Sequence, residues 1–191
     1  MKFIKLIACT LFLIIPIALT ACSDEKPNKL NWKVREFTYT DQNEKPFSLA
    51  DLKGKVWVAD FIFTNCKTVC PPMTQNMSEL QQKLKDQGVK AELVSFSVDP
   101  ETDKPQVLKE YVQKFTQDLT NWHLLTGYSQ KEIEDFATKS FKASVKKPSV
   151  SSDVIHATTF FLVDQEGTIV SYYDGLNVPY EQIIKDIKAL Q

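Results

Sequence analysis

The run VWVADFIF, residues 56–63, constrains the fold of this 191-residue chain more than any other stretch. It is apolar at nearly every position and rich in β-branched and aromatic side chains, so it reads as a strand buried on both faces. Such a strand needs cover on two sides, and the next segments provide it. PPMTQNMSELQQKLKDQG (71–88) repeats Met73, Met77, Leu80 and Leu84 at spacings of four, three and four, which gives a helix one apolar face. Its prolines are tolerated in a first turn, and Gly88 is placed to stop it. AELVSFSV (91–98) is a second buried strand. DPETDKPQVLKEYVQKF (99–115) opens with turn residues and continues as a helix with Val107, Leu108, Tyr111, Val112 and Phe115 inward. Asp103, two residues before Pro105, is its expected N-cap.

The remaining elements follow the same logic. REFTYTDQNEKPFSLADLKGK (35–55) reads as a short hairpin around DQNEKP. NWHLLTG (121–127) is a short strand. SQKEIEDFATKSF (129–141) is a helix opened by the capping-box pair Ser129 and Glu132. KKPSVSSD (146–153) is a loop. ATTFFLVD and GTIVSYYDG are strands across the turn Gln165-Glu166-Gly167, and VPYEQIIKDIKAL is a closing helix. Strands alternating with helices imply an α/β fold with a parallel core, and the final strand pair implies an antiparallel edge. The order resembles the thioredoxin fold, with an N-terminal β-hairpin and a strand-helix insertion. Cys66 and Cys70 fall between the first core strand and the next helix, where that fold keeps its redox centre.

The first residues stand apart. MKFIK carries two lysines, and an apolar run of 16 residues follows. A transmembrane helix needs about 20, so the stretch reads as a secretory leader rather than a retained anchor. It ends in LTAC, Leu19 to Cys22, which resembles the bacterial lipobox. That resemblance implies cleavage before Cys22, lipidation of its sulfur, and attachment to the extracytoplasmic face of a bacterial membrane. The expected organisation is a leader over 1–21, a lipid-anchored tether over 22–35, polar enough to be flexible, and one domain over 36–191. Of the four cysteines, Cys9 leaves with the leader and Cys22 becomes the anchor. Cys66 and Cys70 remain, in a compartment where disulfides persist. Removing Lys2 and Lys5 from 23 basic residues leaves 21 against 24 acidic, a net charge of −3. With Arg35 the only arginine and no basic run, nucleic acid is not an expected partner.

Four chemistries compete for the cysteine pair. On a helix, residues four apart share a face with Cβ atoms about 5–6 Å apart. Two sulfurs so placed can grip one ion, or close a disulfide if the turn tightens. A helix N-terminus lowers thiol pKa, and Lys67 could add to that. A purely structural disulfide across four residues closes almost no chain entropy. A thioredoxin-like oxidoreductase has two residues between its cysteines and a proline before the facing strand. Here there are three, and Ile155, His156 and Ala157 precede that strand. A peroxiredoxin uses a downstream arginine, and Arg35 lies upstream. If the fold is thioredoxin-like, His156 sits over the two sulfurs. Two thiolates and one imidazole form a soft set suited to Cu(I), Cu(II) or zinc rather than magnesium or calcium. His123, within NWHLL, has no comparable placement and reads as a strand-end residue.

DFIFTNCKTVCPPMT, SFSVDPETDKPQVLKEYV and IHATTFFLVDQEGTIV resemble the Sco (SenC) family of copper-binding assembly proteins, and the likeness spans roughly Phe37 to Leu190. The resemblance implies a thioredoxin-like fold and one copper per monomer, Cu(I) or Cu(II), held by Cys66, Cys70 and His156. It also places Asp99, in the aspartate-proline motif, near the site; a turn residue ahead of a helix is the plainer reading of Asp99. The implied partner is subunit II of cytochrome c oxidase, whose dinuclear copper centre (CuA) the family helps to assemble. The membrane would be met through the lipid anchor, and no small-molecule substrate is implied. The expected role is metallochaperone rather than enzyme. A thiol-disulfide reductase that keeps the oxidase cysteines reduced is the alternative, and a copper or redox sensor is a third.

Overall fold

The computed structural model describes residues 30–148 and 154–191. Its main sheet has six strands in the order β1 (Trp32–Lys33), β8 (Thr168–Asp174), β7 (Thr159–Val163), β4 (Trp57–Ile62), β5 (Glu92–Ser97), β6 (Trp122–Leu125). At its centre lies β4 (Trp57–Ile62), every residue of which is buried. Strand β5 (Glu92–Ser97) pairs with it in parallel, and β6 (Trp122–Leu125) pairs in parallel with β5. On the other side β7 (Thr159–Val163) runs antiparallel to β4, and β8 (Thr168–Asp174) antiparallel to β7. The parallel half is joined by helical crossovers, as parallel pairing requires. The antiparallel half turns at Gly167, whose φ of +74° favours glycine.

Helix α1 (Cys70–Asp86) covers one face of the sheet with Met73, Met77, Leu80 and Leu84, all buried as the spacing predicts. Each such side chain contributes about 1.5–3 kcal/mol by leaving water. Its Cγ-branched and unbranched residues suit a helix, and Gly88 at φ +65° lets the chain leave it. Helix α4 (Tyr180–Leu190) packs beside α1 and buries Ile183, Ile184 and Ile187. The opposite face is filled by aromatic rings: Phe141 meets Trp57, Phe61 and Phe161 with centroids 6.4, 5.2 and 5.1 Å away. The hairpin of β2 (Thr38–Thr40) and β3 (Pro46–Ser48) forms its own two-stranded sheet, and Phe37 and Tyr39 carry it onto Phe96 and Phe136.

Four expectations are corrected. Helix α2 (Pro105–Val112) begins after Lys104 with no side-chain cap, because the Asp103 side chain turns into the protein instead. Within it Val107 is 38% exposed, and Phe115 lies beyond its end, half-buried. Helix α3 (Gln130–Phe136) has the Ser129–Glu132 capping box but stops short of 141, passing into a π-turn over Ala137–Phe141 that drives Phe141 into the core. The tether expected over 22–35 is partly sheet. Leu30 N–H donates to the Val170 carbonyl (3.2 Å), and β1 (Trp32–Lys33) pairs with β8. The signal was a short alternation, Leu30, Trp32 and Val34 inward against exposed Asn31 and Lys33, the period of a half-buried strand. The leader, Cys22 and loop residues 149–153 lie outside the described residues. Among the described residues no helix is long and apolar enough to cross a membrane.

Candidate metal centre

The chain leaves the C-terminal end of β4 at Phe63 and turns before entering α1. Asp103 shapes that turn. The Thr64 hydroxyl donates to its carboxylate at 2.6 Å and the Thr64 N–H at 3.3 Å, while the Ser97 hydroxyl donates from the end of β5 at 2.6 Å. Asp103 is fully buried, so its acceptors would be costly to leave unmet. Burial pushes its carboxyl above the ordinary value, and the Ser97 and Thr64 donors oppose the rise.

Cys66 sits in this turn and Cys70 is the first residue of α1, so the pair does not share a helix face as the four-residue spacing suggests. The sulfur of Cys66 instead faces the helix start. Pro71 and Pro72 lack N–H groups there, which leaves the Cys70 N–H to donate to the Cys66 Sγ at 3.3 Å. The Thr68 Oγ1 lies 3.8 Å from the same sulfur. Burial acts to raise the Cys66 thiol, but the Cys70 and Thr68 hydrogen bonds outweigh it and bring the thiol below its ordinary value. Cys70 goes the other way. Burial raises its thiol far above the ordinary value, a Phe63 backbone hydrogen bond opposes, and the neighbouring Cys66 and Asp60 add to the rise. Lys67 is exposed.

His156 precedes β7 and lies over the pair, as its place in the fold predicts. Its Nε2 is 3.1 Å from the Cys70 Sγ, and its Nδ1 is 3.0 Å from the Ala157 carbonyl. A carbonyl only accepts, so Nδ1 carries the ring proton and Nε2 keeps its lone pair toward the sulfurs. Burial lowers the imidazole below its ordinary value, with the Ala157 hydrogen bond opposing, so the ring is held neutral. The Phe63 ring packs edge-on against it at 5.7 Å. The ligand atoms of Cys66, Cys70 and His156 lie within 4.8 Å of one another, with both cysteines buried. Three soft or borderline donors, neutral at nitrogen and ionisable at sulfur, suit a thiophilic ion. The same two sulfurs can close to a disulfide by approaching to about 2.05 Å.

Other candidates fall elsewhere. His123 pairs with Glu92 at 3.1 Å and stacks on Phe47 at 4.1 Å, as a strand residue. Asp99 is buried, yet its carboxylate accepts from Lys147 Nζ at 2.7 Å and is not one of the three clustered donors. A cavity of about 700 Å³ opens at the N-terminal ends of β4 and β5, between Lys55, Leu84 and Asp118, and contains none of the three. Sequence reasoning missed Asp60. This carboxyl is wholly buried in the central strand with neither oxygen hydrogen-bonded in normal geometry, and burial pushes it up to about 7, partly offset by the nearby Ser95 hydroxyl. The signal was an acid inside an otherwise apolar run.

The chain is similar to known proteins in both sequence and structure. The SCO1/SenC family model matches residues 25–191. The SCO1 protein homolog of Bacillus subtilis (strain 168) is 48% identical over 191 residues, covering 99% of this chain and 97% of that protein. A SCO1/SenC family lipoprotein from Bacillus anthracis is similar in structure, at 54% identity and a TM-score of 0.82 over 84% of this chain and 96% of that one. BsSco, a Sco-family cytochrome c oxidase assembly protein in which a disulfide switch was identified, matches at 52% identity and a TM-score of 0.79 over 84% and 94%. Bradyrhizobium japonicum ScoI, solved with copper bound, matches at 30% identity and a TM-score of 0.70 over 83% and 99%.

Proposed function

The chain belongs to the SCO1/SenC family, and from that premise we propose that it is a copper-binding assembly factor for cytochrome c oxidase. The observation that carries this reading is the convergence of the Cys66, Cys70 and His156 ligand atoms within 4.8 Å, with the imidazole lone pair turned toward the sulfurs. One copper ion, Cu(I) or Cu(II), is the cargo. Its protein donors are the two thiolates and the His156 Nε2, and its destination is the CuA centre of oxidase subunit II. A relative solved with copper supports the choice of metal. The protein is anchored at Cys22 by lipid to the extracytoplasmic face of the membrane after loss of residues 1–21, and the domain over 36–191 carries the three donors. The B. anthracis lipoprotein supports the anchor.

A second reading rests on the unequal thiols. Cys66, the more acidic and less buried, could attack one sulfur of a partner's disulfide and expel the other as thiolate. Cys70, once deprotonated, would then attack the Cys66 sulfur, leaving the partner with two reduced thiols and this chain with a Cys66–Cys70 disulfide. The same disulfide removes two copper donors, so holding metal and donating electrons exclude each other. BsSco, with its disulfide switch, supports the coupling. Strains carrying His156→Ala separate the readings. Metal delivery predicts loss of CuA assembly with subunit II still present. A purely reductive role predicts near-normal CuA.

A further inference from the structure

We infer that Lys147 is a positioning residue for His156, acting through its ion pair with Asp99. The inference rests on the three-donor reading above. His156 lies on no regular element, so the aim of its ring depends on where the flanking backbone is fastened. Downstream, Gly175 N–H donates to the Thr158 carbonyl at 2.9 Å. Upstream, Ile155 and Lys146 exchange two backbone hydrogen bonds, each 2.9 Å, which hand the position of the histidine segment to residues 146 and 147.

Val145 and Val154 bury that segment's apolar contacts in the core, exposed Lys146 reaches Glu134 Oε2 at 3.5 Å, and Lys147 makes its closest polar contacts with the rest of the protein. Its N–H donates to Glu134 Oε1 at 3.0 Å, and its ammonium donates to Asp99 Oδ1 at 2.7 Å and Glu101 Oε2 at 3.0 Å. An exposed ion pair is worth little. Glu101, with its side chain 74% exposed, is such a partner, but the Lys147 and Asp99 side chains are only 22% and 5% exposed. Asp99 is itself fixed. Its N–H donates to Ser97 Oγ at 3.1 Å, and its carbonyl accepts from Thr102 and Asp103 N–H at 3.0 and 2.9 Å. Asp103, on the same five-residue loop, holds the turn that carries Cys66. The loop over Asp99–Asp103 therefore grips the cysteine turn with one acid and the histidine segment with the other. Asp99 influences the centre through Lys147 rather than by touching it.

The test compares wild type with Lys147→Met, Lys147→Arg and the neighbouring control Lys146→Met in the full-length reduced protein. Without metal, the His156 Nδ1–H resonance should be visible by NMR in wild type, broadened in Lys147→Met, and restored in Lys147→Arg. With one Cu(II), Lys147→Met should lose copper to a chelator about tenfold faster, with weaker histidine nitrogen coupling by pulsed EPR, while Lys146→Met stays at wild type. Unchanged ring resonance and release rate in Lys147→Met, or the same change in Lys146→Met, would overturn the inference. If Lys147→Met does not fold, Asp99→Asn is read by the same resonance with the same two outcomes. Absence of histidine coupling in wild type would defeat the three-donor reading instead, and the metal-free resonance would still decide the role of Lys147.

Discussion

The His156 Nε2 faces the Cys70 Sγ at 3.1 Å while the opposite ring nitrogen is tied to a backbone carbonyl. The pairing joins the most buried thiol of the centre to a neutral imidazole. It fixes the tautomer before any ion arrives, and it brings together residues 86 positions apart through the order of the sheet. Binding then needs deprotonation at sulfur and none at nitrogen.

Thiol reactivity should be unequal. Hydrogen bonds from Cys70 and Thr68 hold the Cys66 thiol low, and burial holds the Cys70 thiol high. Iodoacetamide on the reduced metal-free protein at pH 7 should label Cys66 at least about tenfold faster than Cys70. Peptide mass spectrometry reads the ratio, and equal labelling would contradict the assignment.

Proton release should follow the same asymmetry. Loading one Cu(I) at pH 7 in weak buffer should release between one and two protons, all from the thiols, because His156 is already neutral. His156→Ala should leave the proton count unchanged while weakening binding. A count that drops by one in His156→Ala would show a charged imidazole in the free protein.

Asp60 gives the fold a pH dependence. Its carboxyl titrates near 7 in the folded protein and at the ordinary value of 3.8 when unfolded. From about pH 4 to about pH 7 the native state holds a proton that the unfolded chain has released, so its contribution to stability falls as pH rises across that window and levels off above it. At 1.36 kcal/mol per pKa unit the loss amounts to at most about 4 kcal/mol. Urea unfolding of metal-free protein should therefore show Asp60→Asn gaining stability relative to wild type from pH 4 to pH 8. A difference that is flat with pH would refute this.

Asp103→Ala should leave the Thr64 and Ser97 donors unmet and cost about 2 kcal/mol. For a domain of this size that lowers Tm by roughly 4–8 °C. Copper release should also quicken, since Thr64 sets the turn that carries Cys66. A variant with wild-type Tm and wild-type release would show that the Asp103 contacts hold nothing in place.

What the sequence disclosed follows from how local each signal is. VWVADFIF and AELVSFSV announce buried strands because every residue contributes to the pattern. Ser129 with Glu132, and Gly88 after α1, announce helix ends because capping involves neighbours. Asp103 misleads for the same reason. An acid just before a proline-led helix has the local form of a cap, and its partner Thr64 lies 39 residues away. Cys66 and Cys70 have helical spacing, but the proline pair starts the helix only at Cys70. The place of His156 over the sulfurs could be anticipated from strand order. The role of Lys147 could not, because nothing in a loop lysine's neighbours reports an acid at the end of another strand.

The proposed copper site needs Cys66, Cys70 and His156 to act together. The direct measurement is titration of the fully reduced protein with Cu(II), wild type beside His156→Ala, followed optically and by EPR. Sulfur-to-copper charge-transfer bands should saturate at one equivalent in wild type, with histidine nitrogen coupling. The variant should show an altered spectrum and an affinity lower by at least about tenfold. Wild-type spectrum and affinity in His156→Ala, or no charge-transfer bands in wild type, would contradict the three-donor site.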